Sequence, residues 1–82
     1  MFSYISFYNN TTYPYISVHE DSEIFVEELL KNTKSKFYIK DAGSVSVIIL
    51  DNKNIPFLDL YISLFPNEFY TLEITDTSAK FI

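Results

Sequence analysis

Apolar and polar residues alternate with a period of two along several stretches of this chain, the spacing of strands that bury one face. Residues 2–8, FSYISFY, set Phe2, Tyr4, Ser6 and Tyr8 on one side and Ser3, Ile5 and Phe7 on the other, with the aromatic content that a pleated surface favours. A polar turn, Asn9-Asn10-Thr11-Thr12, follows, and Pro14 opens a second strand over 15–19, where its missing N–H costs little. The two strands read as a hairpin. Residues 36–40 predict a strand, Asp41-Ala42-Gly43-Ser44 a turn that uses the only glycine, and 45–50, VSVIIL, a β-branched strand. Its unbroken apolar run at 47–50 suits a central strand buried on both sides, closed by a turn at Asp51-Asn52-Lys53-Asn54. After a turn at Pro66-Asn67-Glu68, residues 69–75, FYTLEIT, predict a strand with Tyr70, Leu72 and Ile74 on one face, and Lys80-Phe81-Ile82 a short edge strand or a tail.

One segment carries a different period. Asp21 or Ser22 can cap a helix running from about 22 to 33, with Glu23 favoured in its first turn and Ile24, Phe25, Leu29 and Leu30 within one broad stripe. Val26 extends the edge of that stripe, and Glu27 with Lys31 makes the favourable i,i+4 pair. Residues 55–65 allow two readings. Leu58, Leu60, Ile62 and Leu64 alternate with Phe57, Asp59, Tyr61, Ser63 and Phe65 as in a strand, whereas Asn54 and Pro56 can also start a helix. The expected fold is therefore α+β: a single antiparallel or mixed sheet of five or six strands with the helix at 22–33 packed on one face. A second short helix at 55–65 would instead complete the β-α-β-β-α-β order of a ferredoxin-like sandwich.

Length bounds the rest, since 82 residues suit a single compact domain spanning 1–82. A chain of this size should expose about 5,000 Å² when folded. It has no cysteine, so neither a disulfide nor a thiolate metal site can supplement packing. The amino end, MFSYISFYNN, has no basic region of a signal peptide, and no apolar run approaches the roughly 18 residues of a membrane span. A cytoplasmic location follows as the expectation, with no membrane partner.

Charge is uneven. Six lysines and no arginine face eleven acids, a net charge of −5, and residues 1–18 carry no charged side chain. Glu20, Asp21, Glu23, Glu27 and Glu28 then put five acids in nine positions. The bases gather only at Lys31, Lys34, Lys36 and Lys40, without the arginine fork of base readers, so direct nucleic-acid binding is not expected. Catalytic and cofactor chemistry has little to draw on. His19 is the sole histidine, and along a strand its neighbour Glu20 points to the opposite face, which disfavours a metal site. A single glycine cannot build a phosphate loop, and no GxSxG elbow exists, so no cofactor and no enzymatic activity are expected. Asp51, Asp59, Glu68, Glu73 and Asp76 leave a carboxylate-dependent hydrolase or nuclease as an alternative.

Seven tyrosines are too many for so small a core, because each buried hydroxyl needs a partner. Tyrosine is enriched at interfaces, so Tyr4, Tyr8, Tyr13 and Tyr15 on the amino-terminal hairpin form the predicted protein-binding surface. The acidic patch of Glu20, Asp21, Glu23, Glu27 and Glu28 completes it and calls for a protein partner with a basic surface. The expected function is that of a small acidic protein-binding module, which can itself form a homodimer, with a self-assembling structural or virion-associated component as the alternative. In its small size, acidity and AT-rich residue usage the chain looks similar to the accessory proteins of phages and other mobile elements. The resemblance covers no motif. Some of those proteins inhibit host enzymes by occupying a nucleic-acid surface, which would place this chain in the host cytoplasm.

Overall fold

The computed structural model describes residues 1–21 and 23–82. Among these residues every helix or strand is a strand: β1 (Phe2–Asn9), β2 (Tyr15–His19), β3 (Ile24–Leu30), β4 (Tyr38–Asp41), β5 (Gly43–Leu50), β6 (Pro56–Leu64), β7 (Phe69–Ile74) and β8 (Ala79–Phe81). They form two four-stranded sheets, a first of order β4-β1-β7-β8 and a second of order β3-β2-β5-β6. Ile5, Phe7, Leu72 and Ile74 from the first meet Ile16, Val18, Leu29, Val45, Val47, Ile49, Ile62 and Leu64 from the second in one buried cluster. The architecture is a β-sandwich. Its accessible surface is 4873 Å², close to the area expected from chain length. Among the described residues no helix is long and apolar enough to cross a membrane.

This all-β architecture corrects the α+β expectation, and the segment read as a helix over 22–33 is where the two part. Ser22, one of the two candidate caps, lies outside the described residues. β3 has seven residues where its antiparallel partner β2 has five, and the register accommodates the difference in two steps. Ile16 pairs with Leu29 and Val18 with Val26, so two residues on β2 span three on β3; Val18 to His19 then spans Val26 to Ile24. Each step is a β-bulge, which inserts one residue and breaks the period of two. The half-buried Phe25 and Val26 and the buried Leu29 thereby acquire a spacing that imitates a helix stripe. Ile, Phe and Val are also strand formers, and β2 supplies the backbone partners that an isolated helix would have had to find within itself.

The single-sheet and hairpin expectations also give way. β1 pairs antiparallel with β4 and parallel with β7, whereas β2 pairs with β3 and β5 in the other sheet. Asn9 explains the parting. It is not a turn tip but a fully buried residue, whose Nδ2 donates to the Leu29 carbonyl at 2.8 Å. Its Oδ1 accepts from the Thr11 N–H at 3.0 Å and the Thr11 hydroxyl at 2.6 Å, while its own N–H donates to the Thr33 carbonyl. The chain thus crosses from one sheet to the other through a polar knot.

Residues 55–65 form strand β6, with Ile62 and Leu64 buried and Asp59, Tyr61 and Ser63 exposed, so the ferredoxin-like alternative fails at both of its helices. β5 is central, between β2 and β6, with Val45, Val47 and Ile49 buried and Ser46, Ile48 and Leu50 half-buried on the other side. Between β4 and β5 a single residue, Ala42, separates the first sheet from the second, and Gly43 turns the corner at φ 132°. That dihedral suits glycine alone.

Candidate functional site

The predicted tyrosine surface is not one surface. Tyr4 stacks on Phe69 with ring centroids 4.4 Å apart on the outer face of the first sheet, and Tyr8 follows it along β1. Tyr13 tilts against Phe57 at 4.9 Å beside the core. Tyr15 lies on the outer face of the second sheet, where its hydroxyl donates to the Asn52 carbonyl at 3.2 Å.

The acidic set divides as well. Glu20 is paired with Lys40, both side chains largely withdrawn from solvent, so this contact ties the β2–β3 connection to β4 across the sandwich. The Lys40 ammonium also sits over the Phe25 ring at 6.0 Å. Asp21 and Glu23 are exposed in the connection before β3. Glu27 and Glu28 occupy the longer bulge of β3, and both are exposed. In a regular strand two consecutive side chains would point to opposite faces. Here the bulge brings both to the same groove.

That groove encloses about 300 Å³ and is lined by Tyr15, Ser17, His19, Ile24, Glu27, Glu28 and Asn54. Tyr15, Ser17 and His19 form the floor, because they alternate with the buried Ile16 and Val18 and so face away from the core. β3 supplies the acidic wall. Asn54, in the left-handed conformation at φ 62°, brings the β5–β6 turn in as the opposite wall. The groove therefore joins one residue of the predicted aromatic set to two of the predicted acids.

Its lining is acidic and aromatic, chemistry that suits a cation. Two carboxylates flank an aromatic floor, and a volume near 300 Å³ is at the lower end of ligand pockets, enough for one long side chain. The His19 Nε2 and Ser17 Oγ lie 3.1 Å apart, but Ser17 is only 5% exposed. Among the described residues no carboxylate is hydrogen-bonded to that imidazole to orient it as a base, and no group of three or more potential ligands is placed to hold a metal ion.

A second hollow of about 290 Å³ lies at the sheet corner around Glu20, Asp21, Lys40 and Asp41. Its charges are partly spent on the Glu20–Lys40 pair. The lysines do not make a basic groove either: Lys34 lies over the Phe37 ring at 4.9 Å and Lys36 over Tyr38 at 5.3 Å.

Two perturbed ionisations lie elsewhere and serve the fold. The Thr12 hydroxyl and Thr12 N–H donate to Asp76 at 2.5 and 2.7 Å and hold its carboxyl below the ordinary value of 3.8. Burial among Phe7 and Phe25 pushes the Tyr38 phenol up from 10.0. Sequence reasoning missed Ile24, Ser17, His19 and Asn54 as groove residues. The available signal was an acidic pair interrupting a strand-forming run, the mark of a bulge rather than a helix face. Comparison of the chain with family models, with curated proteins and with solved structures finds no match.

Proposed function

We propose that this protein is a binding module that captures a basic protein surface by taking one arginine or lysine side chain into the groove between β3 and the β5–β6 turn. One observation carries this reading: the β3 bulge sets Glu27 and Glu28 together above Tyr15. An arginine entering there meets carboxylates with its forked donors and an aromatic face with its cation, interactions worth about 0.5–1 kcal/mol each at an exposed site, so that they act together. The net charge of −5 adds long-range attraction that speeds encounter. A protein that otherwise meets nucleic acid presents the matching surface, and occupying that surface would modulate it.

The test is titration of the isotope-labelled chain with a short arginine-bearing peptide at low and high salt. Expected are shifts confined to Tyr15, Ser17, His19, Ile24, Glu27, Glu28 and Asn54, weakened at high salt and reduced at least about tenfold in affinity in Glu27→Gln/Glu28→Gln. Affinity capture from a nuclease-treated lysate, repeated with that variant, identifies the partner. Peptide shifts outside the groove, or equal binding by the variant, would refute the reading.

A further inference from the structure

The face of the first sheet turned away from the core is apolar over the part that carries Phe2, Tyr4, Ile39 and Phe69, and polar beyond it, where Ser6 pairs with Thr71 and Tyr8 with Glu73. Phe2 and Tyr4 alternate outward from the buried Ile5 and Phe7, and the register sets Tyr4 beside both Ile39 on β4 and Phe69 on β7. Phe69 stacks on Tyr4 and meets the edge of Phe37 at 5.3 Å, so the rings form one continuous surface. Ile39 is 66% exposed, Phe69 64%, Phe2 57% and Phe37 41%. With roughly 150–250 Å² per large side chain, these four leave roughly 400 Å² of apolar surface open, within the range of patches that mark association sites. That is about half of the roughly 800 Å² that each partner contributes to a standard interface, the other half falling to the polar part of the same face.

The charges on this face identify the occupant. Asp41 lies opposite Phe2, so an acid stands on this face at the end of β1 where the strand begins. Lys34 is bridged to Tyr8 at the other end, where Glu73, opposite Tyr8, is matched by Lys80 on β8, so that end is net basic. A surface acidic at one end, apolar in the middle and basic at the other is complementary to itself once reversed. A twofold axis lying between two such faces and running across the strands performs that reversal, bringing Lys34 of each copy to Asp41 of the other.

We propose that a second copy of this chain covers this face, giving a twofold dimer in which two first sheets pack together. The apolar side chains of the two copies meet across its centre, and each end carries one lysine against one acid. The two acidic grooves, on the second sheets, then face outward in opposite directions, so the dimer can engage two basic sites. The dimer does not depend on what the grooves bind.

Sedimentation equilibrium of the purified full chain over a wide concentration range tests this. Expected is twice the chain mass at higher concentration, dissociating on dilution. Phe69→Lys, at an exposed position, should raise the dimer dissociation constant at least about thirtyfold while preserving the circular dichroism of the fold. Lys34→Glu alone should weaken the dimer, and so should Asp41→Lys; the combined double variant should restore it, because only the reversed arrangement pairs those ends. A single-chain mass at every concentration would overturn the proposal, as would an open series of larger species. So would a dimer indifferent to Phe69→Lys, or a monomer that uses Phe69 to hold a different protein.

Discussion

Replacing Asn9 by leucine tests whether a buried polar knot holds the two sheets in place. Leucine is similar in size, so the substitution opens little cavity and removes mainly hydrogen bonds. It strips the Leu29 carbonyl of the Nδ2 donor and the Thr11 N–H and hydroxyl of their shared acceptor. Asn9 is 0% and Thr11 4% exposed, so water cannot replace these bonds without opening the structure. Leaving such groups unpaired costs about 1–3 kcal/mol each, for a gross loss of roughly 4 kcal/mol. The leucine side chain returns about 1.5–2 kcal/mol through apolar burial. The net expectation is a loss of about 2–2.5 kcal/mol. Against the roughly 4–12 kcal/mol available to a chain of this size, that lowers Tm by about 10–20 °C. Urea unfolding followed by circular dichroism measures it as a lower midpoint with unchanged slope. Asn10→Ala, at the exposed neighbour, is the control and should stay within about 0.5 kcal/mol of the parent. Asn9→Leu with a midpoint equal to that control would refute the account.

Two further predictions concern charge. Lys40→Met leaves the largely buried Glu20 carboxylate without its ammonium, and should cost about 2 kcal/mol in urea unfolding. Adding Glu20→Leu should recover more than half of that loss; two losses that simply add would show the pair is not coupled. The Asp76 carboxyl is held below 3.8 by Thr12, so the folded chain binds its proton less readily than the unfolded chain does. The stability it contributes is complete above 3.8 and is lost as pH falls below that value through the depressed folded one. The urea midpoints of the parent and of Asp76→Asn should therefore differ near neutrality and converge in acid, and parallel pH curves would refute the assignment.

Period-two alternation is a local property, and where it was unbroken the strands were legible. β2 spans the expected 15–19, β5 is central, and β6 buries the Ile62 and Leu64 side that alternation singled out. The turn asparagines were equally legible: Asn54 and Asn67 adopt the left-handed conformation that this side chain tolerates. The candidate site was legible in parts, as Tyr15 and the acids Glu27 and Glu28 were singled out, but not as a groove.

Partnership, by contrast, is decided by residues distant in sequence. Nothing local in FSYISFY tells that β1 lies parallel to β7, more than sixty positions away, rather than beside β2. The buried state of Asn9 depends on the Leu29 carbonyl reaching it across the sandwich. Seven residues of β3 became a bulged strand because five residues of β2 offered an edge to pair with, a condition absent from the segment itself. The same bulge turned a run of acids, which composition could only describe as a patch, into two carboxylates above one tyrosine. Composition and alternation determined most of the strands and turns, β3 and the Asn9 crossing excepted, because those depend on near neighbours. Which strands pair, which side chains are buried and which charges converge were decided only by the packing of the two sheets.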